Sequence, residues 1–169
     1  MEKRYLNFAF GSNMARARLF SRLPDAKRVS TAKLDNWKLT FRMLAVDGST
    51  KCDIERSSGD RVFGVVYALS ESEKRQLDAI EGDRYECVEV CVSTQDGQHL
   101  NAFAYVANTH NDKLKPYSWY LNHVVQGAYE AQVPDSYMAM LKQTPVQEDQ
   151  DELRAKKEWS VYEMNEQGK

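Results

Sequence analysis

The sequence predicts an α+β domain, and three observations predict it. Strand-like segments come first, helical patterns gather late, and no regular strand–helix alternation of the parallel-sheet kind runs through the chain. The segment RVFGVVYALS adds a nearly continuous apolar run, as expected of a strand buried on both faces.

The first strand covers residues 5–10 and stops on Gly11-Ser12-Asn13. Asn13 suits the N-cap of a helix holding Met14, Ala17, Phe20 and Leu23, which Pro24 ends. LDNWKLTF alternates as a strand does, and ERSSGDR reads as a polar loop before the apolar run. Ser70-Glu71-Ser72-Glu73 forms a capping box, in which serine and glutamate satisfy each other's free amides. It opens the helix EKRQLDAI, and Gly82 after Glu81 is a natural C-terminal stop. YECVEVCVST and LNAFAYVAN are strands joined by the turn Gln95-Asp96-Gly97-Gln98. Helices follow over PYSWYLNHVVQGAYEA and VPDSYMAMLKQ, with Pro134 in the first turn of the latter. Beyond Pro145 the chain is strongly charged, and its sparse apolar positions predict a surface helix fraying into a tail. The expected division is therefore a domain over 1–145 and a helical extension over 146–169, without internal repeats or an interdomain linker.

Composition narrows the function. With 169 residues, 42% hydrophobic and 28% charged, the chain can bury a substantial core. A net charge of -2 leaves no electrostatic footprint for nucleic acid or an anionic membrane. No apolar run approaches the ~20 residues that span a bilayer, and MEKRYLNFAF lacks a signal-peptide apolar stretch. A cytoplasmic location is expected. Cys87 and Cys91 lie four residues apart in a strand, ~13 Å and too far for a disulfide, so buried free thiols are expected. His99, His110 and His123 have no partner at metal-ligand or triad spacing, and Ser12 lacks a GxSxG setting. Arg16, Arg18, Arg22, Lys27 and Arg28 form a basic cluster that reads first as a solvated helix face and second as an attractor for a ligand carboxylate. Trp37, Trp119 and Trp159 are expected to be packing residues.

The stretch NFAFGSNM, residues 7–14, raises a sharper question. A glycine between strand and helix permits positive φ and a close ligand approach. The amides of Gly11, Ser12 and Asn13 would then suit a carboxylate, phosphate or developing oxyanion. No GK[ST] follows, so this is not a phosphate loop. Locally, a plain structural turn explains it as well.

NFAFGSNM resembles the [YF]-x-A-Y-G-S-N-[ML] motif that opens the γ-glutamylcyclotransferase family. GVVYALSESEKRQLDAIEG, YECVEVCV, AFAYVAN and PYSWYLNHVVQGA follow in the family's order, covering roughly five-sixths of the chain. The resemblance implies a small mixed β-barrel flanked by helices. It also implies cyclisation of a γ-glutamyl group to 5-oxoproline, without a metal or organic cofactor. The implied partner is a small-molecule γ-glutamyl substrate. It makes Glu81 the general acid/base and places Asn7, Phe8, Ala9, Phe10, Gly11, Ser12, Asn13, Tyr105 and Tyr120 at the substrate. Asn7 and Phe10 stand where the family usually has tyrosine, which leaves substrate preference open.

The residues around Glu81 carry their own argument. Leu77 and Ile80 mark an apolar helix face, and Glu81 follows Leu77 by four positions. Desolvation and the negative helix end should both raise its pKa. An exposed glutamate at a frayed helix end is the plainer alternative. Asp78, Glu86 and Glu89 are rival carboxylates, and Asp78, one turn back, could raise Glu81 further. Tyr117 could replace Tyr120 if the register slips. The extension has three candidate roles: covering the cavity, pairing two chains into a homodimer, or none. The expected function is γ-glutamyl cyclisation of a small amino acid or amine derivative. The alternatives are a γ-glutamyl-protected biosynthetic intermediate as substrate, or a noncatalytic binding protein of the same fold.

Overall fold

The computed structural model describes residues 3–163. Five strands form a closed barrel in the order β1-β3-β2-β4-β5: β1 Tyr5–Ala9, β2 Lys27–Leu44, β3 Thr50–Leu69, β4 Tyr85–Thr94 and β5 His99–Ala107. Neighbours run antiparallel except β1 and β5, whose parallel contact at Asn7 and Phe103 makes the barrel mixed. Five helices flank it: α1 Arg16–Arg22, α2 Glu71–Glu81, α3 Ser118–Glu130, α4 Asp135–Lys142 and α5 Glu152–Ser160. Early strands and late helices are thus the observed order, and the α+β class holds.

The apolar run of β3 supplies the barrel's centre. Val62, Val65, Val66, Tyr67 and Leu69 are buried, and they pack with Phe8, Leu34, Val92 and Ala104. Gly64 is required by contact: a Cβ there would stand 2.4 Å from the Ala9 carbonyl oxygen and 2.6 Å from the Phe8 ring. Phe8, 1% exposed, belongs to this core.

β2 and β3 are far longer than their sequence signals. ERSSGDR lies inside β3, because the ladder from Trp37–Arg56 to Asp35–Arg61 slips and lets residues 57–60 bulge outward. Asn36 opposes the bulge at φ 64°, and its side chain accepts from the Gly59 amide at 3.1 Å. A polar loop signal here marks a bulge rather than a strand end.

The capping box at Ser70 and Glu73 is present, with the Glu73 amide donating to Ser70 Oγ at 3.2 Å and the Ser70 amide to Glu73 Oε2 at 2.7 Å. Gly82 ends α2 at φ 66°. The expected cap at Asn13 does not form. A single 3-10 turn, Ser12–Met14, intervenes, and α1 begins after Ala15 without a side-chain cap. Asn13 is thereby free for long-range contacts. Cys52 is buried, whereas Cys87 and Cys91 are exposed, because β4 turns them outward. Trp119 is buried, but Trp159 is 42% exposed and packs little. The expected fraying of the tail lies outside the described residues.

α5 exposes most of its length yet is fixed at both ends. Arg154 grips Asp149 with two hydrogen bonds of 2.6 Å, and Asp149 also accepts from Trp119 Nε1 at 2.9 Å. Near its C-terminal end, Glu158 reaches back to α1 and α3. No helix among the described residues is long and apolar enough to cross a membrane.

Candidate active site

A cavity of about 370 Å³ opens where the turn after β1, the end of α2 and the start of α3 converge. Every residue of the stretch 7–13 contributes to its wall, together with Glu81, Tyr105 and Tyr120. Residues that lie up to 113 positions apart in sequence are thus gathered around one space.

The glycine of the turn is required by close approach, not by positive φ. Gly11 has φ -109°, and a Cβ there would stand 3.0 Å from Cys52 Cβ and 3.1 Å from the Tyr120 hydroxyl. The Tyr120 oxygen accepts from the Cys52 amide at 3.0 Å, which ties α3 to β3 directly beside the turn. Tyr117 is elsewhere, donating to the Asp47 carbonyl at 2.7 Å, so the register places Tyr120 at the cavity. The first amides of the 3-10 turn, those of Ser12 and Asn13, lack an upstream carbonyl within the turn. One such turn has little dipole, so the positive potential must come from side chains.

Glu81, the last residue of α2, is half-buried and points into this space. Its Oε1 accepts from Asn13 Nδ2 at 3.2 Å. Burial raises its pKa, against the opposing pull of Arg22, Lys51, Arg18 and the Asn13 hydrogen bond. Ile80 does not share the buried face of Leu77; it is 41% exposed at the cavity rim. The carboxylate's orientation follows from the end of the helix rather than from an apolar stripe.

Asp78 does not act on Glu81 as expected. It takes Lys74 Nζ at 2.6 and 2.7 Å and the Tyr105 hydroxyl at 2.6 Å. Burial raises its pKa, but these partners outweigh it and hold the carboxyl below its usual value. Tyr105 therefore has its proton committed to Asp78 and offers the cavity an acceptor. Glu86 and Glu89 are both exposed and play no part.

Asn7 donates to the Phe103 carbonyl at 3.3 Å, fastening β1 to β5 at their parallel contact. Phe10 is buried, with its ring 6.2 Å from that of Phe8. Both side chains are anchored in the barrel wall.

Four lining side chains depart from the plainer sequence reading. Arg18 and Arg22, assigned to a solvated face, line the cavity, and Arg18 is only 7% exposed. Lys51 at the start of β3 joins them, and burial lowers its pKa. Tyr85 donates to the Cys52 carbonyl at 3.0 Å and stands edge-on to Tyr105. Spacing within α1 puts Arg18 and Arg22 on one face, four residues apart; nothing local marks Lys51 or Tyr85.

The cavity excludes some chemistry. Burial pushes the Cys52 thiol up to about 12, so it is no nucleophile near neutral pH. Ser12 has no histidine or carboxylate hydrogen-bonded to it among the described residues. What remains is the Glu81 carboxyl beside the turn, with Arg18, Arg22 and Lys51 in the same wall.

Barrel and pocket together define the class: a small mixed-barrel enzyme with a half-buried carboxyl set among basic side chains. Residues 61–141 match the AIG2-like family. The human protein named gamma-glutamylcyclotransferase is 32% identical over 151 residues, covering 83% of this chain and 79% of that protein. Its bovine counterpart is 33% identical over 147 residues, covering 81% and 77%. A solved structure titled gamma-glutamyl cyclotransferase superposes with TM-score 0.79 at 27% identity, covering 92% of this chain and 99% of that one. The chain belongs to the γ-glutamylcyclotransferase family.

Proposed function

We propose that the protein cyclises the γ-glutamyl group of a small γ-glutamyl amino acid to 5-oxoproline and releases the free amino acid. The observation that carries this reading is the Glu81 carboxyl, raised by burial, lining the cavity and bonded to Asn13 of the Gly11 turn.

The substrate brings its own nucleophile. Its α-amine, once neutral, attacks the γ-carbonyl carbon; the new C–N bond closes a five-membered ring and leaves a tetrahedral oxyanion. Glu81 accepts the proton from the attacking nitrogen. It then delivers that proton to the departing nitrogen as the old C–N bond breaks, which regenerates the carboxylate. A carboxyl with a raised pKa suits both transfers, since it is a better base than an ordinary glutamate. Holding the two ends of the substrate together can supply on the order of 7–11 kcal/mol of the barrier in the best cases. Donors of the turn at Gly11 and Ser12 steady the oxyanion.

The cations distinguish an amino-acid leaving group from a plain amine. Arg22 is half-buried, and among the described residues its guanidinium is hydrogen-bonded only to the neutral Asn13 side chain, at 3.3 Å. The Asp47 carboxylate stands 3.8 Å from Lys51, and Asp47 also accepts from Ser49. Arg22, partly buried and without a hydrogen-bonded carboxylate among the described residues, favours a ligand that supplies one. A γ-glutamyl amino acid carries two carboxylates; a γ-glutamyl amine carries one.

The test incubates the purified protein with matched γ-glutamyl amino acids and γ-glutamyl amines and follows 5-oxoproline. Turnover is expected with the amino-acid series, and Glu81→Gln should abolish it while the fold and ligand binding persist. Undiminished turnover in Glu81→Gln would defeat the assigned role. Absence of turnover in the parent, with binding retained, would leave a noncatalytic ligand-binding protein.

A further inference from the structure

The segment after the barrel domain reaches the cavity from behind. Arg18 of α1 lines the cavity and is buried. Its Nη1 donates to Glu158 Oε2 of α5 at 2.6 Å, across 140 residues of chain. The same oxygen is 2.9 Å from Nε2 of His123, a fully buried residue of α3. The other ring nitrogen, Nδ1, pairs with the Tyr162 hydroxyl. Trp119 stacks edge-on against the His123 ring, closing the cluster on the α3 side.

The protons in this cluster can be placed. Burial raises the Glu158 carboxyl, but the His123 hydrogen bond and the Arg18 charge outweigh it and hold it at about 2. Glu158 is therefore an acceptor only, so His123 carries its proton on Nε2. Burial lowers the His123 pKa against the pull of Glu158, which favours a neutral ring whose Nδ1 accepts from Tyr162. The cluster thus runs from Tyr162 through His123 to Glu158, and Glu158 binds Arg18.

This arrangement has a consequence at the cavity. Arg18 sits close enough to Arg22 to disfavour the charge on Arg22, and Lys51 feels both. Without a fixed anion behind it, Arg18 would be pushed out of this group of cations or drawn onto Glu81. Glu158, which is outside the cavity lining, takes one nitrogen of the guanidinium. The Nε of Arg18 is buried and has no partner, so its donor capacity is not exhausted by α5.

We propose that Arg18 binds a carboxylate of the substrate and that Glu158, on α5, is the positioning residue that holds it there. The C-terminal helix is then part of the active site rather than an appendage. This rests on the reading of the cavity as a γ-glutamyl site.

A double-mutant cycle over Arg18 and Glu158 tests it, with γ-glutamylalanine as substrate and 5-oxoproline as product. Glu158→Ala is expected to raise KM about tenfold and to change kcat by less than about threefold, the pattern of lost ground-state binding. In an Arg18→Ala background the same change should leave KM unmoved, because Glu158 acts through Arg18. A structural role alone would weaken the protein equally in both backgrounds. An unchanged KM in Glu158→Ala, or an equal KM rise with and without Arg18, overturns the proposal. Should Glu158→Ala fail to fold by circular dichroism, Glu158→Gln keeps the shape, removes the charge and enters the same cycle.

The cycle is repeated with calorimetric binding of γ-glutamylalanine in the Glu81→Gln background, where no turnover is needed. Coupling in binding with an inactive parent would remove the proposed reaction and keep this inference. Turnover in the parent with no coupling would do the reverse.

Discussion

Asn13 Nδ2 donates to Glu81 Oε1 at 3.2 Å, joining the turn after β1 to the end of α2 by one side-chain hydrogen bond. Arg22 Nη1 donates to the other end of the same amide, Asn13 Oδ1, at 3.3 Å. The amide is therefore oriented with its NH₂ toward the carboxyl, and Glu81 is held against the turn.

Removing that donor should cost catalysis more than stability. A hydrogen bond to a charged group contributes about 1.5–3 kcal/mol, and the 3.2 Å length puts this one at the low end. Asn13→Ala is expected to lower kcat about tenfold and move the acidic limb of the rate profile to higher pH, since the bond favours the anion. Asn13→Asp should move the limb further, by setting a second carboxylate beside the first. A limb at the parent's position in both variants would show that Asn13 does not hold Glu81 in solution.

Glu81 itself should separate function from stability. A carboxyl raised by burial binds its proton more tightly folded than unfolded. Its contribution to stability is therefore greatest below the unfolded value of about 4.3 and is lost as pH rises through the folded one. Glu81→Gln, neutral at every pH, is expected to melt at or above the parent's temperature at pH 7. Its turnover should fall by ~10²–10⁴, the usual loss when a general acid/base is removed. Thermal melts and 5-oxoproline release, measured on the same preparation, decide both.

Two glycines should respond oppositely to alanine. At Gly11 a Cβ meets Cys52 Cβ at 3.0 Å and the Tyr120 hydroxyl at 3.1 Å, so the barrel wall or α3 must shift. Overpacking of this kind costs about 1–3 kcal/mol, and the displaced Tyr120 should take activity with it. Tyr120→Phe removes the hydroxyl that the new methyl would strike and should recover part of the melting temperature of Gly11→Ala. At Gly82 nothing lies within 4 Å, and only the φ of 66° resists a side chain. Gly82→Ala should therefore cost about 1 kcal/mol and little activity. Equal losses at both positions would contradict the close approach at Gly11.

Much of this site was legible in the sequence, and the reasons differ by residue. The capping box at Ser70 and the stop at Gly82 are local signals, so the end of α2, and with it Glu81, could be placed within a residue. The turn at residues 11–13 was visible, but its glycine was explained wrongly, since the crowding partners Cys52 and Tyr120 lie 41 and 109 positions away. Lys51 and Tyr85 left no local trace. Lys51 comes to the wall through the long β2–β3 ladder, whose bulge of residues 57–60 reads as a loop until the register on both sides is known. Tyr85 comes to it through the pairing of β4 with β5. Arg18 carried a misleading signal: a basic cluster on a short helix usually faces water, and only a carboxylate 140 residues downstream allows it to be buried.

That carboxylate should be visible in the acid stability of the protein. Burial raises the Glu158 carboxyl, but the His123 N–H and the Arg18 guanidinium outweigh it and hold it at about 2. A depressed carboxylate contributes stability that is present above its unfolded value of about 4.3 and lost as pH falls through the folded one. The difference amounts to something on the order of 2 kcal/mol, all of it removed by acid between pH ~4.5 and ~2. Asp149, which Arg154 holds at about 2, contributes a parallel loss in the same window. The parent's melting temperature should therefore fall steeply across that range. Glu158→Gln should start lower at pH 7 and fall less steeply, retaining the shares of Asp149 and of the other depressed carboxylates such as Asp78. Asp149→Asn should show the converse share, and because Asp149 does not touch Arg18, it should leave KM where it was. A Glu158→Gln protein that lost stability as steeply as the parent would mean that Glu158 does not carry its charge against Arg18, and that α5 packs on the barrel without supporting the cavity.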